Sequence, residues 1–344
     1  MNNKAFGLDI GATSIKIVWL SGKLGALSLK AASITPTPTK GMLSESALDN
    51  EEMAQSIAKA AKDAGVTTKL VNVALPENQV YTKVLDMPAL SDKELSSAIY
   101  WEAEQYIPVP LKDITLVWNV LKRPQNSSQN EKMQVLMVGA PTALIAKYQK
   151  IISLAGFTVN SMETEIIAAI RALVLDETFP TSLIVNIGSI STSFAIVRGG
   201  VIVFTYSMSI GGAAINRAIV TDLGLTSQQA EEYKRVYGVS AKSLGGKIGK
   251  ATEPILNSIL TEIKKSIAFY SQKYKEDAFI RQIILSGGTA KLPGIELFFA
   301  NNSGIETAVA NPWKLLSQAQ IPQGIVDNAS DYTIAVGLAV KDYE

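Results

Sequence analysis

The 344-residue sequence contains no cysteine and no histidine. The first absence excludes a disulfide framework and thiol chemistry. The second removes the commonest general base and the commonest zinc ligand. Any proton transfer must then use a carboxylate, a lysine or water. An excess of either charge is also lacking: 32 basic residues face 31 acidic ones, for a net charge of +1. That balance gives neither the footprint of a nucleic-acid binder nor a polybasic membrane anchor. No apolar run reaches the ~18 residues of a bilayer-spanning helix. The opening MNNKAFGLDIG has no apolar stretch of signal-peptide type, and the end, Asp342-Tyr343-Glu344, adds no amphipathic tail. The expectation is a cytoplasmic protein whose only route to a membrane is a partner. What is present is a globular composition, 47% apolar and 18% charged, long enough for two or more domains.

Apolar runs and turn residues organise the chain as α/β. Phe6 to Ile10, Ile15 to Leu20 and Ala26 to Ile34 read as a three-strand meander. Asp49 and Glu52 read as a capping box that opens a helix ending near Gly65. Val71 to Leu75 reads as a strand. Residues 78–156 read as an inserted βαββα unit: a strand at Val80 to Leu85, a helix at Ser91 to Tyr106, strands at Thr115 to Leu121 and Met133 to Gly139, and a helix at Pro141 to Ala155. Pro124 to Lys132 reads as an exposed hairpin tip. Within the unit, Trp101, Tyr106 and Ile107 are expected mainly in its core.

A second glycine-punctuated meander begins at Leu183. Asn186-Ile-Gly-Ser-Ile-Ser-Thr echoes Asp9-Ile-Gly-Ala-Thr-Ser, and two copies indicate duplicated lobes rather than a solenoid. Helices are expected at Gly212 to Leu223, from the Thr226/Gln229 box to Gly238, and from Glu253 to Tyr274. A strand at Ile280 to Leu285 and a last helix at Tyr332 to Val340 complete the pattern.

The two strand-turn-strand units carry the chemistry. Glycine lets backbone approach a ligand closely, and successive N–H groups in such a turn cradle an anion. In the first unit Gly11, Ala12, Thr13 and Ser14 form the turn, Lys16 supplies positive charge, and Asp9 suits a hydrated Mg²⁺. One such unit alone reads as an ordinary hairpin; a pair points to a triphosphate held from both sides. Ser286-Gly287-Gly288 follows an apolar strand, where a diglycine admits a flat purine ring. Glu231 and Lys234 lie three apart on a helix face, by themselves no more than a surface ion pair.

The order of these motifs, closing with Ala335-Val336-Gly337-Leu338-Ala339, resembles the actin, Hsp70 and sugar kinase superfamily. FGLDIGATSIKIVWL, WEAEQYIPVPLKDI, AEEYKRVYG and ILSGGTAKLPGIELFFANNSGIETAVANPW resemble more narrowly the type IV pilus assembly family PilM. These segments are dispersed over nearly the whole chain. The resemblance implies an actin-like, ribonuclease H-like two-lobed fold with the 1C insertion shared with FtsA. It divides the chain into subdomain 1A (1–77, 157–180 and 330–344), 1C (78–156), 2A (181–212 and 270–329) and 2B (213–269). It implies ATP or ADP with Mg²⁺ as ligand. It also implies, as partner, the N-terminal cytoplasmic peptide of the inner-membrane protein PilN within the pilus assembly complex, and because partner peptides of the family dock near the inserted unit, it makes a groove edge the other reading of Trp101, Tyr106 and Ile107.

The resemblance places Gly11, Ala12, Thr13, Ser14 and Lys16, then Gly188, Ser189, Ser191 and Thr192, at the phosphates. Glu231 and Lys234 fall at the ribose, and Gly287 and Gly288 at the base. Asp9 and Asn186 fall at the metal, Asn186 through water. Asn186 departs from the superfamily's aspartate. The water-positioning acid is either Glu163 or Glu165, and with no histidine available hydrolysis is expected to be slow or absent. The other readings are a small-molecule kinase of the superfamily and an FtsA-like filament former.

Overall fold

A computed structural model of the chain describes residues 4–124, 132–239, 246–275, 279–316 and 321–344. The chain opens with β1 (Phe6–Ile10), β2 (Ser14–Lys23), β3 (Ala26–Pro36), α1 (Ala47–Asp63) and β4 (Leu70–Leu75). The inserted unit follows as β5 (Tyr81–Met87), α2 (Asp92–Tyr106), β6 (Ile114–Lys122), β7 (Met133–Pro141) and α3 (Thr142–Leu154). β8 (Thr158–Thr164) and α4 (Glu165–Leu173) return to the first sheet. The second half runs β9 (Ser182–Ile187), β10 (Thr192–Arg198), β11 (Val201–Met208), α5 (Gly212–Leu223), α6 (Ser227–Tyr237), α7 (Lys247–Lys273), β12 (Gln282–Ser286), α8 (Ile295–Ser303), β13 (Glu306–Val309), α9 (Gln323–Val326) and α10 (Thr333–Val340).

Two five-stranded sheets share one plan. Their orders are β3-β2-β1-β4-β8 and β11-β10-β9-β12-β13, each an antiparallel meander extended by two parallel strands. β1 and β9 are buried along their whole length because helices or neighbouring strands cover both faces, which is why they read as unbroken apolar runs. A separate sheet, β5-β7-β6, carries the insert. Its core is its own, built on Leu95, Ile99, Ala103 and Met137. A shared apolar layer joins the two halves: Val18 and Ile170 from the first meet Ile184, Val197 and Ile284 from the second.

The last helix is placed by a backbone crossing. A Cβ at Gly337 of α10 would overlap the Ala168 carbonyl oxygen of α4, so only glycine permits this approach.

Several local expectations need correcting. α1 starts at Ala47 with Ser46 at its N-cap, and Asp49, inside the first turn, accepts from Ser44 Oγ at 2.5 Å instead of capping. α7 runs through Pro254 and begins at Lys247. Ile248, Ala251 and Thr252 are buried there, and this burial outweighs the proline penalty. Ile107 is core, but Trp101 is 70% exposed and Tyr106 39% exposed. The α2 stripe that faces the insert core is Leu95, Ile99 and Ala103, which turns Trp101 outward. The hairpin tip expected at Pro124 to Lys132 lies, apart from its two ends, outside the described residues.

Candidate functional site

The two meander turns are built alike. Between β1 and β2, Gly11 N–H donates to Ser14 O at 3.0 Å; between β9 and β10, Gly188 N–H donates to Ser191 O at 2.9 Å. The strand register then decides what stands behind each turn. Asp9 pairs with Lys16, and Asn186 pairs with Ser193. The first turn therefore carries an ion pair, Lys16 Nζ to Asp9 Oδ2 at 3.0 Å, and the second carries none. Ala12 and Thr13 are exposed at the tip of the first turn. Thr37 steadies that turn, its hydroxyl donating to Gly11 O at 2.7 Å and its N–H to Thr13 O at 3.1 Å.

The second turn packs on the start of α5. Gly212 N–H donates to Gly188 O at 2.9 Å, and Ala213 N–H donates to Ser189 O at 2.8 Å. Thr289 Oγ1 donates to the same Gly188 oxygen at 3.2 Å. Asn186 Oδ1 accepts from Ser286 Oγ at 3.2 Å. Gly287 has φ +85°, and a Cβ there would lie 2.6 Å from Ile187 O and 2.9 Å from Asn186 Oδ1, so the diglycine backbone lies directly against the second turn.

α6 closes one side. Glu231 Oε2 accepts from Lys234 Nζ at 2.7 Å and from Asn216 Nδ2 at 2.5 Å. Lys234 is buried, and a Cβ on Gly212 would lie 3.6 Å from its Nζ, so its ammonium stands at the start of α5 beside the second turn, while Glu231 keeps a partly exposed side. Burial pushes the Glu231 carboxyl up, but the hydrogen bonds from Lys234 and Asn216, with the charges of Lys234 and Arg235, hold it below the usual range.

Asp331 joins the two halves. It lies just before α10, and a Cβ on Gly288 would fall 2.9 Å from its Oδ1. It forms an ion pair with Lys291 and adds to the field on Lys16. Burial acts to lower the Lys16 pKa, but Asp9, Asp331 and Glu165 together raise it. Glu165, the first residue of α4, has its carboxyl pushed up to about 8 by burial, then by the charges of Asp9 and Glu77. It retains a partly exposed face. Lys16 thus stands among Asp9, Glu165 and Asp331.

Some expected residues fall elsewhere. Glu163 is bound by Arg171 and, at 2.7 Å, by Lys341, an ion-pair cluster beneath α10 that fixes the chain end. It has no contact with the turns. Thr192 is fully buried, and its hydroxyl donates to Ile210 O at 2.6 Å, which takes it out of the phosphate-facing set. Gly211-Gly212, Asn216, Thr289 and Asp331 also stand at the second turn, at Glu231 or at the diglycine, beyond the residues expected from sequence, and Glu77 lies against Glu165. The Gly211-Gly212 doublet ahead of a helix was a usable signal. Asp331 and Glu77 offered none, because each reaches the site from a distant segment.

No cluster of three or more acidic metal-ligating side chains exists among the described residues. Asp9 and Asn186 fit a metal held mainly by water and by a ligand's own phosphates, as Mg²⁺ prefers. The donor set favours the same view. Asp9 and Asp331 beside Lys16 would repel a bare polyphosphate and accept one that brings its own cation. No helix among the described residues is long and apolar enough to cross a membrane.

Comparison with known proteins places these features. The family model described as type IV pilus assembly protein PilM matches residues 7–343. A solved PilM-PilN type IV pilus biogenesis complex superposes with a TM-score of 0.85 at 26% identity, covering 99% of both chains. MreB 5 of Spiroplasma citri, bound to AMPPNP, gives a TM-score of 0.55 at 13% identity, covering 100% of this chain and 96% of that one. In sequence, the cell division protein FtsA of Streptococcus pneumoniae serotype 2 is 23% identical over 330 residues, 84% of this chain and 71% of its own. The fold is the actin-like two-lobed α/β fold.

Proposed function

The chain belongs to the type IV pilus assembly PilM family, and from that premise we propose that it is an ATP-binding scaffold that holds the N-terminal cytoplasmic segment of PilN. In this reading it works on the cytoplasmic face of the inner membrane, attached through that partner, in pilus assembly or a related secretion or DNA-uptake machine. The observation that carries the nucleotide half is the pair of matched turns, with Lys16 and Asp9 behind one and the start of α5 behind the other. The likeness to a PilM chain taken from a complex with PilN, over nearly the full length of both, supports the partner half. The match of the family over residues 7–343 favours this scaffold over a small-molecule kinase or a filament former.

In the cleft, Lys16 would meet the terminal phosphates, and the N–H groups of the two turns would hold the chain of phosphates from either side. Asp9 and Asn186 would hold waters around Mg²⁺, whose chemistry here is to neutralise charge on the β- and γ-phosphates. Glu231 and Lys234 would take the ribose, and Gly287-Gly288 would admit the base. The subdomains 1A, 1C, 2A and 2B, with the boundaries given above, would be the units that close on it. Glu165 is the acid on the cleft side, and near pH 7 it holds a proton, which weakens it as a base. Asn186 supplies no charge. Both favour a ligand that biases lobe closure over a fast hydrolytic cycle.

Calorimetric titration of a synthetic PilN N-terminal peptide into the full chain, with and without Mg-ATP, tests both halves. Saturable peptide binding with an ATP-dependent affinity is expected. ATP binding with no peptide binding in either state would overturn the scaffold reading, and absence of ATP binding would overturn the nucleotide reading.

A further inference from the structure

Glu77 is 3% exposed, carries no expected role at the phosphates, and lies at the point where the chain leaves the first sheet for the insert. Its contacts are reciprocal with those of Glu165. Glu77 N–H donates to Glu165 Oε2 at 3.4 Å, and Ile166 N–H donates to Glu77 Oε2 at 3.3 Å. Each carboxylate thus accepts from backbone in the other's first helical turn. Both bonds are long, and the buried hydroxyls of Thr82 and Thr164, which draw the Glu77 pKa back toward its ordinary value after burial has raised it, complete no hydrogen bond of good geometry. A carboxyl held only for stability at such a depth would be served as well by a neutral residue.

The other end of this short stretch is a junction. Thr82 O accepts from Tyr106 Oη of α2 at 3.3 Å and from Thr205 Oγ1 of β11 at 3.1 Å. Residues 77–82 therefore touch α4 of the first lobe, the insert and the second lobe within a 3-10 turn and the start of one strand. A second seam holds the insert to α7: Lys273 pairs with Asp86 at 2.6 Å, and Gln134 Nε2 donates to Tyr274 Oη at 2.8 Å. The insert cannot keep all of these contacts if α4 and β11 move relative to each other.

We propose that Glu77 is a positioning residue, which sets the Glu165 carboxylate in the nucleotide cleft and passes a change in its position to the insert through Thr82 and its two donors, Tyr106 and Thr205. The inference rests on the reading that Glu165 faces bound nucleotide. It gives the insert, which carries the exposed Trp101 and Tyr106, a physical link to the state of the cleft.

The test is hydrogen–deuterium exchange on the full chain with and without Mg-ATP, following peptides from β5 and α2, with ATP affinity measured on the same samples. In the wild type, ATP should change exchange in these segments by about fivefold, the equivalent of one hydrogen bond made or lost. The double variant Y106F/T205V, which lies away from the turns, should lose most of that response while binding ATP within about twofold of the wild type, and E77Q should lose the response too, whatever its ATP affinity on the same samples. T205S, which keeps the hydroxyl, should retain it, which a purely structural role would not predict. If E77Q does not fold, the double variant and T205S still decide the matter. A full response in Y106F/T205V, or no response in a wild type that binds ATP, would overturn the relay. A wild type that binds no ATP would fail at the affinity measurement, removing the nucleotide reading and this inference together.

Discussion

Glu165→Gln isolates the acid that the fold places at the cleft. The wild-type carboxyl is moved from its ordinary 4.5 to about 8, by burial first and then by Asp9 and Glu77. The folded protein therefore holds this proton more tightly than the unfolded chain. Its contribution to stability is complete below pH 4.5 and is lost as pH rises through about 8. At about 1.4 kcal/mol per pH unit of difference, the loss is bounded near 5 kcal/mol. The partly exposed cleft face of the residue brings it to roughly 2–4 kcal/mol. Glutamine is close in shape, has no proton to lose in this range, and can present its oxygen to the Glu77 N–H.

Urea unfolding at intervals from pH 5 to pH 9 measures the effect. Wild type and variant should be similar near pH 5 and diverge as pH rises, the variant becoming the more stable by roughly 2–4 kcal/mol at pH 9, with unchanged m-values. Glu77 titrates in both proteins, so the difference between the curves reports Glu165. Parallel curves would refute the placement of this carboxyl in a buried, like-charged setting, and with it the argument that it stays protonated at pH 7. If Glu165 does act as a base on water, ATP turnover should rise about tenfold between pH 7 and pH 9 in the wild type. It should stay flat in the variant.

Lys16→Ala should weaken Mg-ATP binding by about 10–100-fold, the range for a lost charge-assisted hydrogen bond, as read by calorimetry; an unchanged affinity would detach the first turn from the phosphates. Glu163→Gln should cost about 2–4 kcal/mol in urea unfolding, because Arg171 and Lys341 lose their shared carboxylate. ATP affinity should not change, and a large loss of affinity would return Glu163 to the cleft. Gly337→Ala should destabilise by about 3 kcal/mol or more, since the new Cβ meets backbone of α4 and not a side chain that can turn away; a normal melting temperature would contradict the crossing.

The features legible from sequence are those in which local chemistry and tertiary role coincide. Both turns have glycine after a strand buried on two faces, and α6 announces itself by the Thr226/Gln229 capping box that the folded chain uses. Legibility fails where tertiary contacts override local signals. β8 and β13 are sheet-edge strands with weak alternation, and they gain their structure from a neighbour distant in sequence. α7 hides its first turns behind Pro254. Trp101 has the composition of core and the position of surface. The acids of the site show the limit most clearly. Glu163 and Glu165 are two apart, so a strand through both would send them the same way. The strand ends at Thr164 and α4 begins at Glu165. That single step from extended to helical backbone turns one carboxylate toward Arg171 and Lys341 and the other toward Lys16. Residue type was the same at both positions. The information that separates them is the location of one element boundary, which is set by how Ile166, Ala168 and Ala169 pack into the interior and not by either glutamate.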